Sequence, residues 1–288
     1  MGQPLERSQI FLPKSKVNLS YVQAGQGEHT LVLVHGLGSN SKAFTKNIGE
    51  LSKKTRVIAI DLPGFGDTEP GEFVPGMDNY AHTIAEFVSL KGLDKISLVG
   101  HSMGGQIAMH LAATHQPEWL RQLVLLAPAG VEQFTAAEKE WFHAVVNEAF
   151  YLNLTDEQIE QNFDLNFYGN KLPKDAQFML QDRLEIKEDL EQYKQYVATV
   201  VKSIHAMLKE PVYHQIENIK VPVKVVFGKE DKLIPNKILH PQLTTEGLVE
   251  SLTMDYPTID HVLLEQAGHF VQWDQSEAVN SIILKDIN

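Results

Sequence analysis

The chain has 288 residues, a net charge of −12 and 43% hydrophobic residues, and it contains no cysteine. Disulfides, thiolate metal sites and a cysteine nucleophile are therefore excluded. The acidic balance disfavours nucleic acid or an anionic membrane as a partner. No apolar run is long enough for a membrane span, and residues 1–10 have no signal-peptide core. We expect a cytoplasmic protein with a small-molecule substrate and no integral membrane association, unless an export signal preceded Met1. The oligomeric state stays open.

The first 130 residues alternate between apolar runs and helical patterns. Segments 9–12 and 17–23 predict a β-hairpin with its turn at 13–16. Four continuous apolar runs, typical of strands buried on both faces, follow. They span residues 30–34, 56–60, 96–100 and 122–126. Between them, apolar residues at helical spacing predict amphipathic helices, near residues 44–51 and 80–88. Such alternation predicts an α/β fold with a doubly wound, mainly parallel sheet.

Residues 131–217 show helical patterns only. Thr155 and Gln158 form a plausible capping box, and a long apolar stripe is stopped by Pro211. The stripe comprises Leu190, Tyr193, Val197, Val200, Ile204 and Leu208. Because this segment is too long for a simple crossover connection, it predicts a helical cap inserted into one core. The core would comprise residues 1–130 and 218–288, with strands at 221–227 and 262–265 and a closing helix at 275–284.

One serine stands between an apolar strand and a helix with small residues. Gly100-His101-Ser102-Met103-Gly104 matches Gly-x-Ser-x-Gly, the signature of a nucleophile elbow. The turn is so tight that Ser102 must adopt a strained backbone angle, while Gly100 and Gly104 let strand and helix pass closely. The hydroxyl of Ser102 is then lifted above the sheet, at a helix N-terminus that favours anions.

Four local patterns, in this order, resemble those of the α/β-hydrolase family over nearly the whole chain. They are His35-Gly36-Leu37-Gly38 after the third strand, Gly-His-Ser-Met-Gly-Gly at 100–105, Gly228-Lys-Glu-Asp231 after a late strand, and Gly268-His269 after the last strand. Ser, then acid, then His is the chain order of this fold. The helical segment at 131–217 also lies where the family carries its cap.

This resemblance implies a catalytic triad. Ser102 would be the nucleophile, and His269 would accept its proton and return it to the leaving group. Asp231 would accept the other ring N–H of His269 and fix its tautomer. The backbone N–H groups of Leu37 and Met103 would form the oxyanion hole.

Other residues compete for two of these roles. Glu230 is the alternative acid, although the family spacing places the acid third after the glycine. His261 is the alternative base, but it precedes the last strand and should lie at the opposite edge of the sheet. His35 and His101 are expected to shape their loops.

The resemblance implies a serine hydrolase, carboxylesterase- or lipase-like, that cleaves an ester with an apolar acyl part through an acyl-enzyme. This chemistry requires neither a cofactor nor a metal. Lactonase, thioesterase, perhydrolase and carbon–carbon bond hydrolase activities can use the same triad. The last group usually has a Gly-Pro-containing oxyanion loop, which Gly38-Ser39-Asn40-Ser41 does not match. A small-molecule receptor that keeps the triad is an alternative from another class.

The cap should overhang Ser102, because ligands of open α/β sheets bind outside the carboxyl ends of the strands. Five apolar side chains near the start of the cap are candidates for the wall of an acyl pocket. They are Phe134, Trp141, Phe142, Val145 and Phe150.

Overall fold

A computed structural model describes residues 6–285 and 287. The expectation that residues 1–10 hold no signal-peptide core falls partly on residues 1–5, outside the described residues. Eight strands form one sheet in the order β1-β2-β4-β3-β5-β6-β7-β8. They are β1 (Glu6–Leu12), β2 (Val17–Ala24), β3 (Thr30–Val34), β4 (Arg56–Ile60), β5 (Ile96–His101), β6 (Leu120–Leu126), β7 (Val223–Gly228) and β8 (Asp260–Leu264).

The sheet is parallel from β4 through β3, β5, β6 and β7 to β8. Among the described strands, only β1 and β2 take part in antiparallel pairs, as β1 with β2 and β2 with β4. The carboxyl ends of the parallel strands therefore meet at one edge of the sheet. Loops that follow β3, β5, β7 and β8 carry the four sequence patterns described above, so the topology brings these patterns to the same edge.

Helices cover both faces of the sheet. They are α1 (Thr45–Leu51), α2 (Met77–Leu90), α3 (Met103–His110), α4 (Ala136–Val145), α5 (Glu148–Leu152), α6 (Asp156–Asp164), α7 (Gln177–Glu188), α8 (Leu190–Lys209), α9 (Thr245–Asp255), α10 (Val271–Asp274) and α11 (Ser276–Leu284). Apolar residues of α2, α3 and α9 pack on one face, while α1, α10 and α11 pack on the other. This arrangement confirms the predicted doubly wound fold.

The predicted strands agree with the structure to within a few residues. β3 and β4 have the predicted bounds, whereas β5 includes His101 and β6 begins earlier, at Leu120. The last strand begins at Asp260 rather than at residue 262. Its first two residues are exposed and polar, so the apolar pattern does not reveal them. Helix α9 is not predicted from the sequence.

Five helices, α4 to α8, lie between β6 and β7, and residues 131–217 contain no strand. The predicted capping box at Thr155 and Gln158 is present at the start of α6. Helix α8 follows the predicted apolar stripe and ends before Pro211, although Leu190 at its first turn is exposed. Within the described residues, no helix combines the length and apolar content of a membrane span.

Candidate active site

Ser102 lies in a sharp turn between β5 and α3. Its backbone has φ 52° and ψ −118°, a conformation that residues with a side chain rarely adopt. A Cβ atom at Gly100 would lie 2.4 Å from the carbonyl oxygen of Gly104, and one at Gly104 would lie 2.3 Å from that of Val34. Both positions therefore require glycine. The turn is tied to the neighbouring strand, because the N–H of Ser102 donates to Leu126 at 2.9 Å.

A histidine and a carboxylate from two other loops are joined by a hydrogen bond. Nδ1 of His269, after β8, lies 2.8 Å from Oδ2 of Asp231, after β7, and both side chains are almost fully buried. The other oxygen of Asp231 accepts the backbone N–H groups of Leu233 and Ile234, at 2.8 and 3.0 Å. Because Nδ1 donates to this carboxylate, Nε2 of the neutral ring keeps a lone pair that can accept a proton.

The two alternative residues lie elsewhere. Glu230 accepts the backbone N–H of Ala267 at 3.3 Å and makes no hydrogen bond to His269. His261 is the exposed second residue of β8, at the end of the strand opposite to the loop that carries His269. The geometry therefore brings together the acid and the base that the sequence favours.

Ser102 and His269 line the same cavity, although Ser102 Oγ does not donate a hydrogen bond to this imidazole in the structure. Such contacts are often long before a substrate binds.

The loop after β3 lies against the serine. A Cβ atom at Gly36 would come within 2.9 Å of Cβ of Ser102, so a side chain there would collide with this serine. No hydrogen bond among the described residues uses the backbone N–H of Leu37 or of Met103. Two unused N–H groups next to the turn suit the oxyanion hole predicted from the sequence.

His35 and His101 hold these loops in place. Nδ1–H of His35 donates to the carbonyl of Gly36 at 2.8 Å, and its Nε2 accepts the N–H of Leu62 at 2.9 Å. Nε2–H of His101 donates to the carbonyl of His269 at 3.0 Å. Burial lowers the pKa of His35 and lowers that of His101 well below the ordinary value, so both rings stay neutral.

The site opens into a cavity of about 920 Å³. The helical insertion, residues 131–217 with helices α4 to α8, covers this cavity. Among the five apolar candidates, Phe134, Phe142 and Phe150 line this cavity. Trp141 and Val145 do not: Trp141 packs edge-on against Phe142, and Val145 is exposed. Helical geometry explains why Phe142 differs from Trp141: Lys139 and Phe142 lie three residues apart on the face of α4 that lines the cavity, whereas Trp141 lies on a neighbouring face.

Two further residues reach the site from the insertion, and sequence reasoning missed both. Arg183 of α7 donates to the carbonyl of Gly38 at 2.5 Å, and its guanidinium lies 4.2 Å from the ring centroid of Tyr196. The hydroxyl of Tyr196, on α8, is buried without a hydrogen-bond partner. Burial raises the pKa of Tyr196 to about 12, so this hydroxyl keeps its proton. No carboxylate among the described residues forms an ion pair with Arg183.

A charged cluster joins the start of the insertion to the loop that follows Asp231. Nδ1 of His240 lies 2.5 Å from Glu132 and its Nε2 lies 3.1 Å from Glu138. Glu138 also forms the capping box of α4 with Thr135. Burial alone would lower the pKa of His240, but the hydrogen bond and the charge of Glu132 outweigh it and raise this pKa. Burial raises the pKa of Glu132.

Known proteins resemble this chain in sequence and in fold. The chain is 27% identical over 281 residues to a 2-hydroxy-6-oxononadienedioate/2-hydroxy-6-oxononatrienedioate hydrolase of Burkholderia vietnamiensis, covering 94% of this chain and 91% of the relative. It is 28% identical over 235 residues to a 2-hydroxy-6-oxo-6-(2'-aminophenyl)hexa-2,4-dienoic acid hydrolase of Metapseudomonas resinovorans, covering 78% and 75% of the two chains.

A solved structure, a probable hydrolytic enzyme from Pseudomonas aeruginosa, superimposes with a TM-score of 0.84 and 18% identity over 99% of this chain and 94% of the other. At that identity the likeness concerns the fold alone. The family profile of the alpha/beta hydrolase fold matches residues 29–276. The chain therefore belongs to the α/β-hydrolase family, and it is a hydrolase.

Proposed function

We propose that the chain is a serine hydrolase that cleaves carboxylic esters through an acyl-enzyme. Ser102 is the nucleophile, His269 is the general base and Asp231 orients it. The observation that carries the proposal is the 2.8 Å hydrogen bond between His269 and Asp231, in the cavity that also holds the strained Ser102. A serine hydroxyl needs such a base to become a competent nucleophile.

The reaction follows from this arrangement. Nε2 of His269 takes the proton of Ser102 as Oγ attacks the ester carbonyl, and Asp231 stabilises the imidazolium that forms. The N–H groups of Leu37 and Met103 donate to the oxyanion, each worth roughly a hundredfold or more in rate. The imidazolium then protonates the leaving alcohol. Water attacks the acyl-enzyme with the same base, and the carboxylic acid leaves.

The walls of the cavity favour an acyl group with an apolar part. Phe134, Phe142 and Phe150 contribute aromatic surface from the insertion, and an acyl group packed against them would displace water from the site. Exclusion of water strengthens the hydrogen bonds to the oxyanion. We therefore propose that helical residues 131–217 act as a cap over this site.

A second candidate is hydrolysis of a carbon–carbon bond in an acidic dienoate. Arg183 favours it, because this guanidinium lies in the cavity wall without an ion-pair partner among the described residues. The two relatives compared above are named for substrates that carry carboxylates. The loop at residues 38–41 disfavours this candidate, because it lacks the Gly-Pro pattern that is usual in carbon–carbon hydrolases.

The two candidates differ in the substrate that is turned over. We expect p-nitrophenyl esters of short fatty acids to give a higher kcat/KM than 2-hydroxy-6-oxo dienoates, and Ser102→Ala to abolish turnover of both. Arg183→Gln should raise KM for a substrate with a free carboxylate and leave KM for a neutral ester of equal length unchanged. A kcat/KM for the dienoate far above that of every ester would replace the first proposal by the second. Absence of any turnover, with ligand binding intact, would support the receptor alternative instead.

A further inference from the structure

Three histidines surround one carboxylate where the start of α2 meets the end of α3. Asp78 and His82 lie one turn apart at the start of α2, while His110 ends α3 and His115 ends the π-helical turn that continues it. None of the four residues lines the cavity described above. The cluster is therefore separate from the site proposed for hydrolysis.

The potential ligand atoms of Asp78, His82 and His115 lie close enough together to surround one metal ion. One oxygen of Asp78 lies 2.8 Å from Nε2 of His115, and the other lies 3.3 Å from Nδ1 of His82. One potential ligand atom from each of these three residues lies within 4.8 Å of the others. Zn²⁺ bonds to nitrogen and oxygen measure about 2.0–2.2 Å, which separates tetrahedral ligands by about 3.3 Å. Small side-chain rotations would bring the three residues to that spacing.

A metal ion would replace hydrogen bonds that these side chains make without it, among them the one that Nδ1 of His82 donates to the backbone carbonyl of Asp78 at 2.9 Å. The rings of His82 and His115 lie with centroids 4.3 Å apart. His110 is almost fully buried, and its Nε2 lies 3.2 Å from the same oxygen of Asp78 that His115 contacts, while its Nδ1 has no partner. One oxygen of Asp78 therefore lies within hydrogen-bond distance of both His110 and His115.

We propose that Asp78, His82 and His115 bind one divalent transition-metal ion of the Zn²⁺ type, with water in the remaining position. Imidazole and carboxylate are ligands that such ions prefer, and geometry then sets the selectivity among them. His110 holds the carboxylate of Asp78 in place from the buried side, as partners of metal ligands usually do. The ion joins the start of α2 to the end of α3.

This site has a structural role rather than a catalytic one. The backbone N–H of Asp78 donates to the carboxylate of Glu210, directly after α8, at 2.9 Å. The ion would therefore also stiffen the place where the last helix of the insertion returns to the core. Because the ion binds the folded chain and not the unfolded chain, it raises the free energy of unfolding.

The test uses Zn²⁺ itself, titrated into the intact chain in competition with a chromogenic chelator. We expect tight binding of one equivalent, at least tenfold weaker binding in His82→Ala and in His115→Gln, and no change in His261→Ala, which removes another exposed histidine. His110→Gln should weaken binding by about 10- to 100-fold, the usual effect of a residue that orients a ligand. At the same Zn²⁺ concentration, the melting temperature should rise most in the wild type and in His261→Ala, and less in the three variants that bind more weakly.

Equal affinity in the wild type, His82→Ala and His115→Gln would overturn the proposal, as would a wild-type melting temperature that Zn²⁺ does not raise. His82 is exposed, so its replacement is not expected to disturb folding. Melting without added metal checks that each variant is folded.

Discussion

Replacement of Asp231 by Asn tests the orienting role of this carboxylate. Oδ1 of Asp231 accepts two backbone N–H groups, from Leu233 and Ile234, whereas Oδ2 faces Nδ1 of His269. In Asp231→Asn the amide oxygen should stay with the two N–H groups, because turning it away would leave both unpaired, and the buried N–H of Ile234 alone would cost about 1–3 kcal/mol. The amide NH₂ is thereby forced towards His269.

An NH₂ group at that place donates to Nδ1, so the imidazole must carry its proton on Nε2. Nε2 can then no longer accept the proton of Ser102. We expect kcat to fall by up to about ten-thousandfold, as in the serine protease triad. That loss corresponds to about 5.5 kcal/mol of transition-state stabilisation.

The assay is steady-state hydrolysis of p-nitrophenyl esters, with circular dichroism to check folding. Glu230→Gln is the matched control, because this carboxylate contacts Ala267 rather than His269. We expect it to retain activity within a few fold of the wild type. An Asp231→Asn variant that keeps more than a tenth of the wild-type kcat, beside a Glu230→Gln variant that is inactive, would refute the reasoning.

Two further predictions concern the insertion. Phe142→Ala should enlarge the cavity and shift the chain-length profile towards bulkier esters, each methylene being worth about 1–3 kcal/mol, whereas Trp141→Ala should leave the profile unchanged, since Trp141 does not line the cavity. Identical profiles for both variants and the wild type would exclude selection by this wall. The raised pKa of His240 means that its imidazole binds a proton more tightly in the folded chain than in the unfolded chain. Protonated His240 therefore stabilises the fold below pH 6.5, and this stabilisation is lost as pH rises through the pKa of the folded state. The wild-type free energy of unfolding, measured with urea, should therefore exceed that of His240→Gln most at pH 6 and progressively less towards pH 9; a difference that grows with pH would contradict this prediction.

The core of the fold could be predicted because its signals are local. Continuous apolar runs mark strands that are buried on both faces, and the glycines at 100 and 104 are required by a turn that the five-residue pattern already describes. The order of the loops along the chain then suffices to bring Ser102, Asp231 and His269 to one edge of the sheet, because carboxyl ends of parallel strands share that edge.

The contacts of the insertion could not be predicted in the same way. Arg183 lies in a helix with charged and apolar residues on several sides, so no periodicity distinguishes the face that reaches Gly38. The unpartnered hydroxyl of Tyr196 likewise depends on how α8 packs over the loop after β3. Trp141 and Val145 were candidates by composition and position, but only the orientation of α4 decides which of its residues face the cavity.

The central claim is that Ser102 forms a covalent acyl-enzyme. The most direct measurement is mass spectrometry of the chain quenched in acid during turnover of a p-nitrophenyl ester, with peptide mapping of the added acyl group. We expect one acyl group on the peptide that contains Ser102, and none in Ser102→Ala. An acyl group on any other residue, or one that persists at wild-type level in Ser102→Ala, would contradict the account.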